Sequence, residues 1–353
     1  MANPSSQFET DESLIAEINK PLPIGRTLFT YAMNALAFAL TGLALLPLFH
    51  ILLSILRQGL PQLSWQTIAS LPAPVGVEGP NGFGNAILGT LIMVAIASAI
   101  SIPLGLVTGI YLSEFGNNSK LAIAIRFITT VLTGIPSVIV GVFAYAVVVL
   151  TKVAIQNGQI LFGQQAIDQG TGIPIPGFIG AIANLFSYDI NSLSIQVGGF
   201  SSLAGGFALS ILMLPVVALT TEEALKLVPV PQRLASAALG ATRFQTTFKI
   251  VVSAALSGIT TGVLLAVARA AGETAPLVFT ALFSDNWPPG IFDHPPSLSF
   301  LFNPTPSLSV LIYNYASSPF PEQTNLAWTA SVVLVGLILL LSVSSRLVTR
   351  KRL

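Results

Sequence analysis

Arg269 and Glu273 stand one helical turn apart in the run ARAAGETAPL, Ala268 to Leu277, inside a long apolar stretch. Opposite charges at i and i+4 share a helical face and can form an internal ion pair. A charge at mid-bilayer costs about 2.5 to 3.5 kcal/mol on insertion scales, so the placement calls for a purpose. Two purposes are open. Either the pair neutralises itself and locks helix packing, or it lines a water-accessible passage in which Arg269 attracts an oxyanion and Glu273 keeps that attraction from becoming a trap. Thr274 would add a hydroxyl donor, and Gly272 with Pro276 would loosen the helix and expose backbone groups beside the charges.

Other chemistries lack their residues. There is no cysteine, and the two histidines, His50 and His294, are far apart with no partner at ligand spacing, so no metal site is expected. No phosphate-cradling loop ending in Gly-Lys-Ser/Thr occurs, and any dependence on ATP must come from a partner. Paired carboxylates, a nucleophile elbow and a His-Glu-x-x-His spacing are also missing, which disfavours a hydrolytic enzyme.

The elements that must position Arg269 and Glu273 follow from composition. Of 353 residues, 53% are hydrophobic and 8% charged, against about a quarter charged in soluble domains. The chain is therefore an integral membrane protein. Apolar runs long enough to cross a core about 30 Å thick lie at Leu28 to Leu56, Asn85 to Leu112, Leu121 to Leu150, Leu203 to Thr220, Lys249 to Phe283 and Leu326 to Val348. These are six spanning helices, because backbone polar groups in lipid must be satisfied within the segment and the alternating strands of a barrel are absent.

Orientation follows from Lys and Arg. With the N-terminus inside, Lys20, Arg26, Lys120, Arg126, Lys226, Arg233, Arg243, Lys249 and the basic residues between Arg346 and Arg352 gather on the cytoplasmic side. Only Arg57 and Lys152 fall outside, and Arg269 lies within the membrane, so both termini are predicted to be cytoplasmic. The N-terminal segment 1–27 is polar and acidic where a cleavable signal would be basic and then apolar, so it is expected to stay attached. The six-helix domain takes residues 28–348, and 349–353 form a basic tail.

Among the connections, 65–84 and 284–325 are rich in Gly and Pro and read as extracytoplasmic loops. Residues 151–202 are too polar for a seventh span. Pro136 and Pro215 each remove a helix hydrogen bond and predict kinks, with Thr133 and Ser137 placed to satisfy freed carbonyls. Gly205 with Gly206, and Gly258 with Gly262, predict close helix approach, within the chain or between subunits.

The connection 221–248 predicts a helix from Gln232 to Leu239, a turn at Gly240, and a second helix from Arg243 that feeds the fifth span. Composition alone fits a hairpin resting on lipid headgroups as well as it fits a docking surface.

The run LASAALGATRFQTTFKIVVSAALSGI resembles the "EAA" loop of ABC importer permeases, which docks into a cleft of the ATPase subunit. Ala235 and Ser236 fall at the two alanines and Gly240 at the glycine, followed by Ala241, Thr242 and Arg243. Leu234 replaces the family glutamate, and Ser253 stands where many members have proline; Glu222 or Glu223 is the candidate substitute for the lost acid. Three further runs, LTGIPSVIVGVFAY, GGFSSLAGGFALSILMLPVVALTTEEALKLVP and LLAVARAAGETAPLVFTALF, are similar to the PstA-type permease subunits of phosphate importers. The family connection is shorter where this chain has 152–196, so that segment reads as an insertion.

The resemblance implies an all-α, six-span permease of the type I (MetI-like) ABC importer fold in the bacterial inner (plasma) membrane. It implies a PstC-like second permease, a PstB-like ATPase dimer that carries ATP and Mg, and a PstS-like extracytoplasmic phosphate-binding protein, with no cofactor in this chain. On the second of the two purposes weighed above, Arg269, Glu273 and Thr274 border the pathway. Rival readings are an importer of molybdate or sulfate, a transporter driven by an ion gradient with Glu273 as proton relay, and an intramembrane enzyme or scaffold.

Overall fold

The computed structural model describes residues 24–77, 79–116, 119–150, 199–293 and 297–350, with side chains of the last helix described through Ser344. The expected insertion, 152–196, therefore lies outside the described residues, as do residues 1–23 and 351–353. Every regular element among the described residues is helical. In chain order these are α1 (Ile24–Gly59), α2 (Trp65–Ala69), α3 (Gly84–Ile110), α4 (Lys120–Gly134), α5 (Ser137–Ala144) and α6 (Ser202–Lys226). There follow α7 (Val230–Ala238), α8 (Arg243–Gln245), α9 (Val252–Ala271), α10 (Ala275–Thr280), α11 (Leu308–Ala316) and α12 (Pro321–Arg350). Wider π-helical turns continue α3 over Tyr111–Phe115 and α5 over Tyr145–Leu150, and another, Thr246–Val251, joins α8 to α9.

Five helical stretches are long and apolar enough to cross a bilayer: Ile24–Gln62, Gly84–Phe115, Ser202–Lys226, Arg243–Ala271 and Pro321–Ser344. The sixth expected span is a pair, Lys120–Gly134 with Ser137–Leu150, bent by 106°. The residue preceding a proline is pushed out of the helical region, and Ile135 is indeed extended, with Pro136 extended after it as the cap of α5. Pro136 thus marks a break between two helices. The hydroxyl of Thr133 donates to the Thr130 carbonyl at 2.6 Å. Pro215, by contrast, lies inside a helix that runs unbroken from Ser202 to Lys226.

The chain divides into two units, residues 1–56 and 57–353. In the first, the described residues are helical, and Phe29, Phe38 and Phe49 are among its many exposed apolar side chains. The second holds the core. Met93 and Ala97 of α3, Leu209, Met213 and Val217 of α6, and Ala266 and Ala270 of α9 form its centre. Small residues let these helices approach closely, as van der Waals packing in lipid requires. A side chain on Gly206 would meet Ile96 Cγ2 at 2.5 Å, and one on Gly262 would collide with Thr220, so these glycines serve α3–α6 and α6–α9 packing within the chain.

The connection 284–325 departs from the expected loop. It contains α11, whose Ser307 cap is fully buried. Leu308, Leu311 and Tyr315 of α11 pack with Phe83, Leu326 and Ala330 in a second core cluster. A nine-residue apolar run between Pro-rich stretches is too short for its period to be distinguished from loop composition.

Candidate functional site

The fifth span does not run to Phe283. Gly272 closes α9, and hydrogen bonds from Gly272 N to the Arg269 carbonyl (3.1 Å) and from Glu273 N to the Ala270 carbonyl (3.2 Å) tighten its last turn. Pro276 then sits in the first turn of α10, where its missing N–H leaves no helix bond unmade. Arg269 and Glu273 therefore straddle a helix end, yet Arg269 Nε still reaches Glu273 Oε1 at 3.3 Å. The Arg269 side chain is 56% exposed and that of Glu273 only 16%. Thr274 is half-buried and caps α10 without a side-chain hydrogen bond.

Neighbouring helices fix the pair. Ser309 of α11 donates to the Glu273 carbonyl at 2.9 Å, which ties the helix break to the start of α11. Leu212, Met213 and Val216 of α6 face Ala266, Arg269, Ala270 and Glu273 across a shallow depression. This is an apolar wall with one cation at its rim and one shielded carboxylate behind it. Such an arrangement can attract an anion electrostatically and can donate planar hydrogen bonds to its oxygens.

The hairpin forms as its sequence predicts, with shifted bounds: α6 extends through Lys226, and α7 begins at Val230. Gly240 adopts φ +80°, the left-handed conformation that ends a helix and favours glycine. Ala241 N returns to the Ser236 carbonyl at 3.2 Å. Thr242 caps α8 in a reciprocal arrangement with Gln245. Ser236 is buried, its hydroxyl 2.9 Å from that of Thr246, whereas Ala235 is exposed. Leu234, Leu239 and Phe244 are also exposed, Leu239 at 90%.

Sequence reading missed the charges that hold this end together. Arg126 of α4 and Lys226 both reach the buried Glu222 of α6, at 2.6 and 3.0 Å, and Lys226 also pairs with Glu223. Glu222 is thus consumed inside the chain and does not replace the family glutamate on the hairpin surface. Glu114 pairs with Arg233 at 2.9 Å across 119 residues of sequence. No local spacing signals a contact of that separation; the only hint was that each acid lies beside a span end rich in basic residues.

At the other end of the spans, Asn85 donates to the Ser284 and Asn286 carbonyls at 3.0 and 3.4 Å. Tyr315 donates to Asp285 at 3.4 Å. Burial, and then the Asp285 charge, push the Tyr315 phenol well above its ordinary value, so it remains a donor. Among the described residues, no group of three metal-ligating side chains comes together.

Residues 101–353 match the family model described as "Binding-protein-dependent transport system inner membrane component". Three curated relatives carry the name "Phosphate transport system permease protein PstA". That of Yersinia pestis is 34% identical over 86% of this chain and 84% of its own length. That of Haemophilus influenzae is 34% identical over 89% and 92%, and that of Pasteurella multocida 32% identical over 91% and 95%. Among solved structures, an inward-facing MetNI methionine ABC transporter chain aligns at 18% identity with a TM-score of 0.49, over 76% of this chain and 95% of that one.

Proposed function

The chain belongs to the binding-protein-dependent transport system inner membrane components, and from that membership we propose that it is the permease subunit of an ATP-driven importer of inorganic phosphate, as its relatives are named. In this reading it is a six-span, type I (MetI-like) permease of the bacterial inner membrane with both termini cytoplasmic, the bent pair serving as one span. A PstC-like permease completes the pathway, a PstB-like ATPase dimer binds ATP and Mg, and a PstS-like protein delivers phosphate. This chain contributes no cofactor.

Arg269 carries the pathway reading. A guanidinium more than half exposed, on a helix meant for lipid, must face water or a protein partner, because contact with hydrocarbon is too costly. Its pairing with Glu273 at a helix end lowers its hold on an anion without abolishing it. Thr274, whose side chain caps no backbone N–H, supplies a hydroxyl donor in this scheme. Selectivity resides mainly in the delivering protein.

The coupling reading rests on the hairpin. Val230, Leu234, Leu239 and Phe244 present apolar surface on the hairpin, the character of a docking site. Closure of the ATPases on ATP would push this hairpin, and the two permeases would rock between outward and inward access.

The test is phosphate uptake into vesicles that hold the assembled complex, with the binding protein supplied and ATP inside. Uptake that needs ATP and resists competition by sulfate and molybdate is expected. Competition by either anion would reassign the substrate, and uptake without ATP would overturn the ATP-driven mechanism.

A further inference from the structure

Both arms of the hairpin are fastened to one residue outside it. Glu114 lies in the π-helical turn that ends α3. Its carboxylate accepts from Arg233 of α7 at 2.9 Å and from Ser113 at 3.1 Å. Its backbone carbonyl accepts from Arg243 of α8, whose guanidinium also lies over the Phe115 ring, 5.4 Å from the centroid. The Arg233 guanidinium further donates to the Leu225 and Val228 carbonyls, 2.8 and 2.5 Å away, at the end of α6. The ends of two spans and both halves of the hairpin therefore meet around a single ion pair. Its side chains are 24% and 11% exposed, which limits screening by salt.

The bonds are not equivalent. Arg233's bonds to Leu225 and Val228 stay within eight residues of chain, so they fix only the local turn. The bonds to Glu114, with the Phe115 ring beneath Arg243, carry the hairpin across to α3. The hairpin's root toward α9, Thr246–Val251, and the turn that anchors it, Tyr111–Phe115, are both π-helical, local irregularities of the kind found where helices must adjust. With a compliant root, something must make the hairpin move with the spans and not against them.

We infer that Glu114 is a positioning residue for energy coupling: it locks the hairpin to the end of α3, so that displacement of the hairpin is delivered to α3 and α6 together. This rests on the proposed role of the hairpin as the ATPase contact. A merely structural pair would support assembly but leave the yield of transport per ATP unchanged.

The experiment compares native, E114Q and E114D complexes. In E114Q, which keeps the shape and removes the charge, ATP hydrolysed per phosphate imported is expected to rise roughly tenfold, the factor equal to about 1.4 kcal/mol of lost coupling, while the complex remains assembled. E114D keeps the charge and should recover most of the native ratio. A native ratio in E114Q overturns the inference. If E114Q fails to assemble, R243Q removes the donor to the Glu114 carbonyl together with the cation over Phe115, and a native ratio there overturns it equally. A second readout does not depend on transport. The chain has no cysteine, so spin labels at V107C on α3 and L239C on the hairpin report their separation directly. One narrow distance that broadens in E114Q supports the latch, and an unchanged distribution rejects it. Failure of phosphate import with an intact latch would instead indict the transport reading.

Discussion

An arginine at a helix end and a glutamate just past it make a weak lock. The pair is 3.3 Å apart with Arg269 more than half exposed, and exposed ion pairs contribute only about 0 to 1 kcal/mol. A permanent packing device would bury both partners more deeply, as Arg233 and Glu114 are buried at 24% and 11% exposure. The asymmetry suits a cation that is offered outward and restrained from behind. Arg269→Ala should therefore lower ATP-dependent phosphate uptake about 10- to 100-fold, the loss of a charge-assisted hydrogen bond of about 1.5 to 3 kcal/mol, with the assembled complex still recoverable by affinity purification. Glu273→Gln should act differently. An unrestrained Arg269 holds the anion longer, so the maximal uptake rate falls while the phosphate concentration for half-saturation does not rise. Normal uptake by both variants in intact complexes would return the pair to a packing role.

At the scale of elements, glycine and proline carry most of the argument. Gly240 needs φ +80°, whereas proline is locked near −65°. Gly240→Pro should misdirect α8 and raise ATP consumption per phosphate imported, and an unchanged ratio would remove the turn from the coupling scheme. Gly206→Val acts on a different contact. Its new atoms would fall on Ile96, and overpacking of this kind typically costs about 1 to 3 kcal/mol, so the purified protein should melt at a lower temperature in detergent. Long apolar runs made the spans legible from sequence, and the small-residue pattern ending at Gly240 made the hairpin legible. The break at Ile135 was only half legible: proline announced a distortion, but its 106° depends on what packs around it. The helix end at Gly272 was foreseen as loosening, while the Ser309 bond that fixes it joins residues 36 apart. Glu114 and Arg233 were illegible as a pair, because a contact across 119 residues leaves no periodic trace.

For the whole molecule, charge placement is what supports the proposed orientation. Arg126, Lys226, Arg233 and Arg243 are all bound into the hairpin end by Glu114, Glu222 and Glu223. The opposite connections, around Trp65 to Asn81 and Trp287 to Ser317, offer no comparable basic cluster among the described residues. The proposed orientation, in which basic residues near span ends stay on the cytoplasmic side, has the hairpin there and the start of α11 toward the other face. The absence of cysteine makes this directly measurable. Single-cysteine variants at Leu239, Trp65 and Ser317, all exposed, can be treated with a membrane-impermeant maleimide in intact cells whose outer envelope has been opened. Trp65→Cys and Ser317→Cys should label at once. Leu239→Cys should label only after the membrane itself is permeabilised. Labelling of Leu239→Cys from outside would invert the topology and, with it, leave the hairpin out of reach of any ATPase that draws on cytoplasmic ATP.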